Sequence, residues 1–248
     1  SNGVLTISGT ATLVNYQNAL RSITYYSTSE DPTVTFSSRT ITWVVTDADS
    51  ESLGAESSSG VTSSITITPL SDVPVVTAGG TLSYTENGSA AAIDNTITTS
   101  DPDDTQITGA SVSISSGFTT GDILTLSTQN GISGSYNSSN GVLTVTGTAT
   151  LAQYQTALRS ITFNSTSEDP TATSGTRTIT WVITDANSDG VGAASSSGVT
   201  SSITITPLSD IPVVTAGGTL SYTENGSATA IDNTITISDP DDTQLDGA

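Results

Sequence analysis

The stretch RTITWVIT, residues 177–184, decides the class of fold. Its apolar side chains Ile179, Trp181 and Ile183 fall at every second position, and threonine fills most of the positions between them. Such alternation is typical of a β-strand with one face in a core and the other in water. The same pattern occurs earlier, in RTITWVVT at residues 39–46.

This duplication extends over the whole chain. Residues 139–248 repeat residues 1–110 without an insertion, and 22 of the 110 aligned positions differ. A fixed period of 138 residues indicates an array of stacked units. We therefore expect the chain to be a slice of a longer protein, with the C-terminal part of one repeat at 1–72, a complete repeat at 73–210 and the N-terminal part of the next at 211–248.

The complete repeat is rich in short strand patterns separated by turn sequences such as Asn-Gly and Asp-Pro. The predicted strands are 74–77, 81–85, 96–99, 110–115, 122–127, 131–136, 141–146, 160–164, 177–184 and 201–206. This density of strands and turns predicts an all-β fold, an immunoglobulin-like sandwich.

One short helix is predicted in each repeat. Thr150 and Gln153 form the pattern of a capping box, and apolar residues then recur on one face over 151–158. In the first copy Asn15 replaces the glutamine, which weakens the box. Arg159, directly after the helix, is expected to pair with a local carboxylate, and Asp94 is expected to cap a turn.

The charge of the chain excludes several functions. Its 24 acidic residues face only four basic ones, which gives a net charge of −20. Such a surface repels phosphate backbones and anionic membranes, so we expect no nucleic-acid partner and no membrane insertion of this segment. Cysteine and histidine are absent, which removes disulfides and any side chain that ordinarily titrates near neutrality. A glycosidase needs a carboxylate pair in a cleft. Nothing in the sequence indicates such a cleft, so we predict no catalysis.

The carboxylates concentrate in three motifs near the repeat boundaries. These are SDVP at 71–74, TENG at 85–88 and SDPDD at 100–104, and each returns 138 residues later, the first as SDIP. Carboxylates this close disfavour each other's ionisation unless a cation lies between them. Calcium takes six to eight oxygen ligands in a tolerant geometry, so the motifs predict a Ca²⁺ cofactor.

In their order, these motifs resemble those of the cadherin superfamily, in its bacterial cadherin-like branch. TEN at 85–87 looks like the family's x-E-N segment, TSDPD at 99–103 like its A-T-D-x-D segment, and LSDVP at 70–74 like its closing D-x-N-D-N-x-P linker. The long unit and the helix are closer to the tandem modules of bacterial repeats-in-toxin giant adhesins and large repetitive surface proteins. In the cadherin family, calcium ions lie between successive domains and stiffen the junction.

Carried over by position, the resemblance implies metal ligands at two junctions. The first junction would use Glu30, Asp31, Asp72, Glu86, Asp101, Asp103 and Asp185. The second would use Glu168, Asp169, Asp210, Glu224, Asp239 and Asp241. The linker lacks the first aspartate and both asparagines of the family pattern, so we expect one or two ions per junction.

The sequence therefore predicts a structural role: the stalk of a large bacterial surface adhesin, extracellular and stiffened by calcium between neighbouring repeats of the same chain. The alternative is a subunit of a self-assembling filament, sheath or surface layer, in which identical chains pack side by side. A third possibility is direct ligand binding. The inward register expected for Trp43 and Trp181 weighs against it, since they would not be exposed as a sugar platform.

Overall fold

The computed structural model describes residues 3–187, 190 and 192–248. The chain divides into two compact units, Ser1–Leu70 and Ser71–Ala248. This division lies two residues before the predicted repeat boundary at 72/73. The second predicted boundary, at 210/211, falls inside the second unit, and the repeat boundaries remain predictions.

The described residues of the two units form short helices and strands. The first unit has α1 (Leu13–Arg21), β1 (Ser38–Trp43) and β2 (Val61–Thr66). The second unit has β3 (Val75–Thr77), β4 (Thr81–Thr85), β5 (Ala91–Ala92), β6 (Thr98–Ser100), β7 (Gln106–Ser116), β8 (Asp122–Thr125), β9 (Ser133–Asn137), β10 (Val142–Thr150), α2 (Leu151–Arg159), β11 (Thr162–Ser165), β12 (Thr176–Asp185), β13 (Val199–Thr206), β14 (Val213–Thr215) and β15 (Thr236–Ser238).

Two sheets form the body of the second unit. The larger has the strand order β4-β13-β12-β7-β10-β9, and the smaller has the order β5-β11-β8. Neighbouring strands are antiparallel, except that β4 runs parallel to β13. Buried side chains of both sheets belong to one hydrophobic core. The predicted all-β sandwich with one short helix per repeat is confirmed.

Strand β12 shows why the sequence folds in this way. Its residues alternate strictly, and Ile179, Trp181 and Ile183 are fully buried in the core. The indole Nε1 of Trp181 donates to Ser201 Oγ at 3.0 Å, so the polar end of this large side chain is also satisfied. The inward register predicted for Trp181 is confirmed.

Helix α2 follows β10 directly and closes over the core. The capping box is present: Gln153 N–H donates to Thr150 Oγ1 at 3.3 Å, and Thr150 N–H donates to Gln153 Oε1 at 3.0 Å. Before the helix, Gly147 has φ 122°, and a Cβ there would lie 2.2 Å from the carbonyl oxygen of Gly131. Gly147 lies within β10, where the pairing with β7 shifts register between Thr146 and Ala149, and only glycine fits there.

The expectation for Arg159 is wrong. Its Nε donates to the backbone carbonyl of Ile97 at 2.7 Å instead of pairing with a carboxylate. The end of α2 lies against the residues that precede β6, so a backbone carbonyl is within reach of the guanidinium. Among the residues that the structure describes, neither helix has the length and apolar character needed to span a bilayer.

Candidate metal centre

The strand directions place the acidic motifs at two opposite ends of the larger sheet. Asp185 finishes β12, and β12 is antiparallel to β13. Glu86 follows β4, which is parallel to β13, and its N–H donates to the carbonyl of Thr206 at 3.0 Å, where β13 finishes. We refer to these as the Asp185 end and the Glu86 end.

At the Glu86 end, three carboxylates from distant parts of the sequence converge. One oxygen from each of Glu86, Glu168 and Asp210 lies within 4.8 Å of the other two. Glu86 is only 3% exposed, whereas Glu168 is exposed and Asp210 is half-buried. Glu86 follows a strand, Glu168 lies in the loop after β11, and Asp210 belongs to the linker after β13, so the tertiary fold brings them together.

Two of the carboxylates at this end hold the linker by its backbone. Glu86 Oε2 accepts from the N–H of Leu208 at 2.8 Å, and Asp241 Oδ2 accepts from the N–H of Asp210 at 3.2 Å. Asp241 lies in the segment that follows the linker. The linker is therefore fixed between the carboxylates of Glu86 and Asp241.

Several carboxylate oxygens at this end have unsatisfied hydrogen-bonding capacity. Within the described part of the chain, Glu86 Oε1, Asp210 Oδ2 and Asp241 Oδ1 are buried and have no hydrogen-bond partner. Burial, followed by the charges of Asp210, Glu168 and Asp241, raises the pKa of Glu86, against a lowering by the hydrogen bond from Leu208. Burying charged oxygens without partners is costly, and a bound cation would satisfy them.

A second cluster lies at the Asp185 end. One oxygen from each of Asp101, Asp104 and Asp185 lies within 4.8 Å of the other two. Asp101 Oδ1 accepts from the N–H groups of Asp103 and Asp104, at 3.1 and 2.9 Å, and Asp103 Oδ2 accepts from the N–H of Asp72 at 3.0 Å. Asp101 Oδ2 and Asp103 Oδ1 are buried and, among the described residues, have no partner.

Burial and the neighbouring Asp103 raise the pKa of Asp101 to about 6, although two backbone N–H groups act in the opposite direction. Asp185 is fully buried and accepts from the backbone N–H groups of Asn187 and Ala194, at 3.1 and 2.8 Å. It is therefore held in place by its own loop, whether or not it contacts an ion.

The same local hydrogen bonds recur in the next repeat. Asp239 Oδ1 accepts from the N–H groups of Asp241 and Asp242, at 3.3 and 3.0 Å, as Asp101 does from its neighbours. Asp239, Asp241 and Asp242 also form a group of close carboxylates. The SDPDD motif thus folds into the same turn in both copies, because its bonds are local.

The structure corrects one grouping in the sequence prediction. The sequence prediction places Glu86 at the first junction with Asp101, Asp103 and Asp185, but Glu86 lies at the opposite end, with Glu168 and Asp210. The reason is the parallel pairing of β4 with β13, which carries Glu86 to the end where the linker leaves the repeat. The prediction also omitted Asp104 and Asp242, although both directly follow a predicted ligand in SDPDD.

Six predicted ligands lie outside the carboxylate groups that the described residues form: Glu30, Asp31, Asp72, Asp103, Asp169 and Glu224. Asp31 Oδ1 accepts from Thr33 N–H at 3.1 Å, and Asp169 Oδ1 accepts from Thr171 Oγ1 at 3.4 Å, so both serve in turns. Glu30 and Glu224 are exposed. Metal binding by these six residues, as by the clustered ones, remains a prediction.

The donor set at both ends is made of carboxylate oxygens. Such a set suits a hard cation, and calcium accommodates several carboxylates in an irregular arrangement better than magnesium does. A calcium site needs oxygen ligands that are held in place and free to bind the ion. Both clusters contain buried oxygens without a partner among the described residues, next to oxygens fixed by backbone N–H groups. The residues present therefore fit the ion that the sequence predicted.

Comparison with known proteins gives limited matches. No protein-family model matches the chain. A stretch of 108 residues is 36% identical to halomucin of Haloquadratum walsbyi; it covers 41% of this chain and about 1% of halomucin. The extracellular cadherin domains 1–5 of protocadherin gamma B2 align over 70% of this chain and 27% of that chain, with 16% identity and a TM-score of 0.30. Domains EC1-2 of human protocadherin-24 align over 70% and 68%, with 11% identity and a TM-score of 0.28.

Proposed function

We propose that this chain is part of an extracellular repeat region, the stalk of a large surface adhesin, in which calcium ions stiffen the junctions between repeats. At the Glu86 end the ligands are Glu86, Glu168 and Asp210, with Asp239 and Asp241 from the following repeat. The similarity to a short stretch of a much longer protein supports a repeat region as the context.

The mechanism is mechanical. A cation shared by carboxylates of two repeats and of their linker restricts the hinge motion of that linker. It also neutralises charges that otherwise repel one another across the junction. Without the ion, the linker is held by the backbone hydrogen bonds of Leu208 and Asp210. The junction then hinges more freely, and the array changes from a stiff rod to a flexible string.

The observation that carries this proposal is the set of buried, unpartnered oxygens at the Glu86 end, above all Glu86 Oε1. A solvated acidic surface would expose these oxygens to water. Extracellular modules bind calcium at roughly 10⁻⁴–10⁻³ M, so such sites fill outside the cell and empty inside it. An intracellular chain would stay loose for export and stiffen after secretion.

Small-angle X-ray scattering of the chain in excess calcium and in chelator tests this function. We expect a larger maximum dimension and a higher melting temperature with calcium. Glu86→Gln is the test variant, and Glu224→Gln, the same substitution in the next copy, is its matched control, because Glu224 is exposed and lies outside the carboxylate clusters of the described residues. Identical scattering profiles and melting curves with and without calcium would contradict the proposal.

A lateral assembly of identical chains is the second candidate, and one observation favours it. The outward faces of the larger sheet carry mostly threonine and serine, and the charged residues within its six strands, Arg177 and Asp185, are both buried. In so acidic a chain, this neutral face is where two copies can approach with least repulsion. Concentration-dependent association in chelator that Thr180→Glu abolishes would support it, and monomers at all concentrations would exclude it.

A further inference from the structure

Arg177 is a buried cation that the proposed function leaves unexplained. It lies near the start of β12, on the inward face with Ile179 and Trp181, and is fully buried. Its Nε donates to Asp122 Oδ2 at 2.6 Å, and its Nη2 donates to Asp122 Oδ1 at 3.3 Å. A buried ion pair contributes little net stability compared with an apolar replacement, so its presence calls for another explanation.

The remaining donors of the guanidinium hold one loop. Nη2 donates to the carbonyl of Pro170 at 2.6 Å, and Nη1 donates to the carbonyl of Ser174 at 2.6 Å. The loop over residues 168–175 therefore closes around the guanidinium. Pro170 is two residues from Glu168, the exposed ligand at the Glu86 end.

The same guanidinium–loop contacts occur in the first unit. Arg39 Nη2 donates to the carbonyl of Pro32 at 2.5 Å, and its Nη1 donates to the carbonyl of Phe36 at 2.6 Å. Ser174 and Phe36 occupy equivalent positions but differ in type, so the contact depends on the backbone and not on the side chain. In both copies, an arginine donates to two backbone carbonyls of the loop that begins with Glu-Asp-Pro.

Glu168 is thus anchored on both sides. Before it, Thr166 N–H donates to the carbonyl of Gly121 at 2.9 Å, and Ser165 N–H donates to Tyr84 Oη at 3.2 Å. After it, the carbonyl of Pro170 accepts from Arg177. Gly121 directly precedes Asp122, so both anchors converge on the start of β8.

We propose that Arg177 is a positioning residue for the cation site at the Glu86 end: it fixes the loop that presents Glu168 next to Glu86 and Asp210. This inference rests on the proposed function, because it needs a cation there. Arginine suits the task, since its planar fork can donate to Asp122 and to two carbonyls at once. A lysine side chain ends in one ammonium nitrogen, which cannot reach all three acceptors at once.

Calcium titration calorimetry of the full chain tests this role. All variants carry Asp101→Asn, which reduces binding at the Asp185 end while its amide oxygen can still accept the backbone bonds. In that background we expect Arg177→Lys to weaken calcium binding about tenfold, the scale seen when a residue that orients a metal ligand is changed. Arg159→Lys is the matched control, since Arg159 also donates to a backbone carbonyl but not in this loop.

A double-mutant cycle separates positioning from general stability. If Arg177 acts through Glu168, then Arg177→Lys together with Glu168→Gln weakens calcium binding no more than Glu168→Gln alone. Additive losses, or an unchanged dissociation constant in Arg177→Lys with a lower melting temperature in chelator, would overturn the inference. If the parent protein binds no calcium, the proposed function itself fails, which is a separate outcome.

The wild-type chain offers a test that no folding defect can obscure. Amide hydrogen exchange is compared in chelator and in calcium over residues 166–174. If Arg177 orders the loop beforehand, these amides are already protected in chelator and gain little with calcium. If they exchange freely until calcium is added, the ion orders the loop, and the role assigned to Arg177 is wrong.

Discussion

Residues 12–67 of the first unit and residues 150–205 of the second carry nearly the same sequence in different surroundings. Both form a nine-residue helix and an antiparallel strand pair with the same register: Trp43 faces Val61, and Trp181 faces Val199. Yet Trp181 is fully buried, whereas Trp43 is only half-buried. Helix caps and strand register are therefore set locally, and burial is set by elements distant in sequence.

The largest expected difference between the two copies is the stability lost when each tryptophan is truncated. We expect Trp181→Ala to lower the free energy of unfolding by about 3–5 kcal/mol, because it leaves a large cavity in a closed core. Trp43→Ala is expected to cost less than half as much, since its surroundings already admit water. Urea denaturation followed by circular dichroism measures both. Equal losses would mean that the half-buried tryptophan is packed as tightly as its copy.

The local part of the fold was predictable from the sequence. The alternation of residues 177–184 and the Thr150–Gln153 box depend on neighbours within a few positions, and both are confirmed. Strand β5 (Ala91–Ala92) was missed because two alanines carry no periodic signal. The turn of SDPDD was likewise predictable as acidic and compact, because its bonds stay within four residues.

The long-range part was not predictable. The pair between Asp122 and Arg177 joins β8 of the smaller sheet to β12 of the larger one, 55 residues apart. The place of Glu86 follows from a parallel pairing between β4 and β13, and strand patterns do not reveal direction. In both cases the side chains are visible in the sequence, but which of them meet depends on sheet topology.

Asp94 and its copy Asp232 extend the comparison of the two copies to a charged side chain. Burial acts to raise the pKa of Asp94, but hydrogen bonds from Ser201, Thr96, Gly79 and Gly80 outweigh it and hold that pKa well below its ordinary value. Backbone and side-chain bonds from Gly217, Thr234 and Gly218 also lower the pKa of Asp232, which is half-buried, whereas Asp94 is buried. We expect Asp94→Asn to cost about 2 kcal/mol at pH 7, as hydrogen bonds to a buried charge are lost.

The sign of the pH dependence follows from the lowered pKa. The ionised form of Asp94 stabilises the fold above the unfolded pKa of about 3.9, and this contribution fades as the pH falls below that value. The stability difference between wild type and Asp94→Asn should therefore be constant from pH 7 to pH 5 and shrink by pH 3. Asp232→Asn is the control and should show a smaller difference at pH 7. A difference for Asp94→Asn that is as large at pH 3 as at pH 7 would contradict this account.

Glu86 lies in a carboxylate cluster, whereas its copy Glu224 is exposed. In calcium at ten times the dissociation constant, a filled site adds about 1.4 kcal/mol of stability, and we expect Glu86→Gln to lose it. In chelator, the same variant should be at least as stable as wild type, because burial and neighbouring charges disfavour ionised Glu86. Differential scanning calorimetry in both conditions tests this reversal. Glu224→Gln should match wild type in each, and a loss in chelator would show that Glu86 stabilises the fold without an ion.

The smallest expected effect concerns the helix caps, where the two copies differ by one side chain. Thr150 and Gln153 form a reciprocal capping box, whereas Thr12 only accepts from the N–H of Asn15, at 3.3 Å. Asn15→Gln should complete the box in α1 and stabilise that helix by about 0.5 kcal/mol, and Gln153→Asn should cost α2 a similar amount. Amide hydrogen exchange of the first helical turn measures both changes. Opposite and similar shifts would show that the cap acts locally, independent of burial. A shift in α2 alone would show that the box needs a packed helix, and would tie even this local feature to the surrounding core.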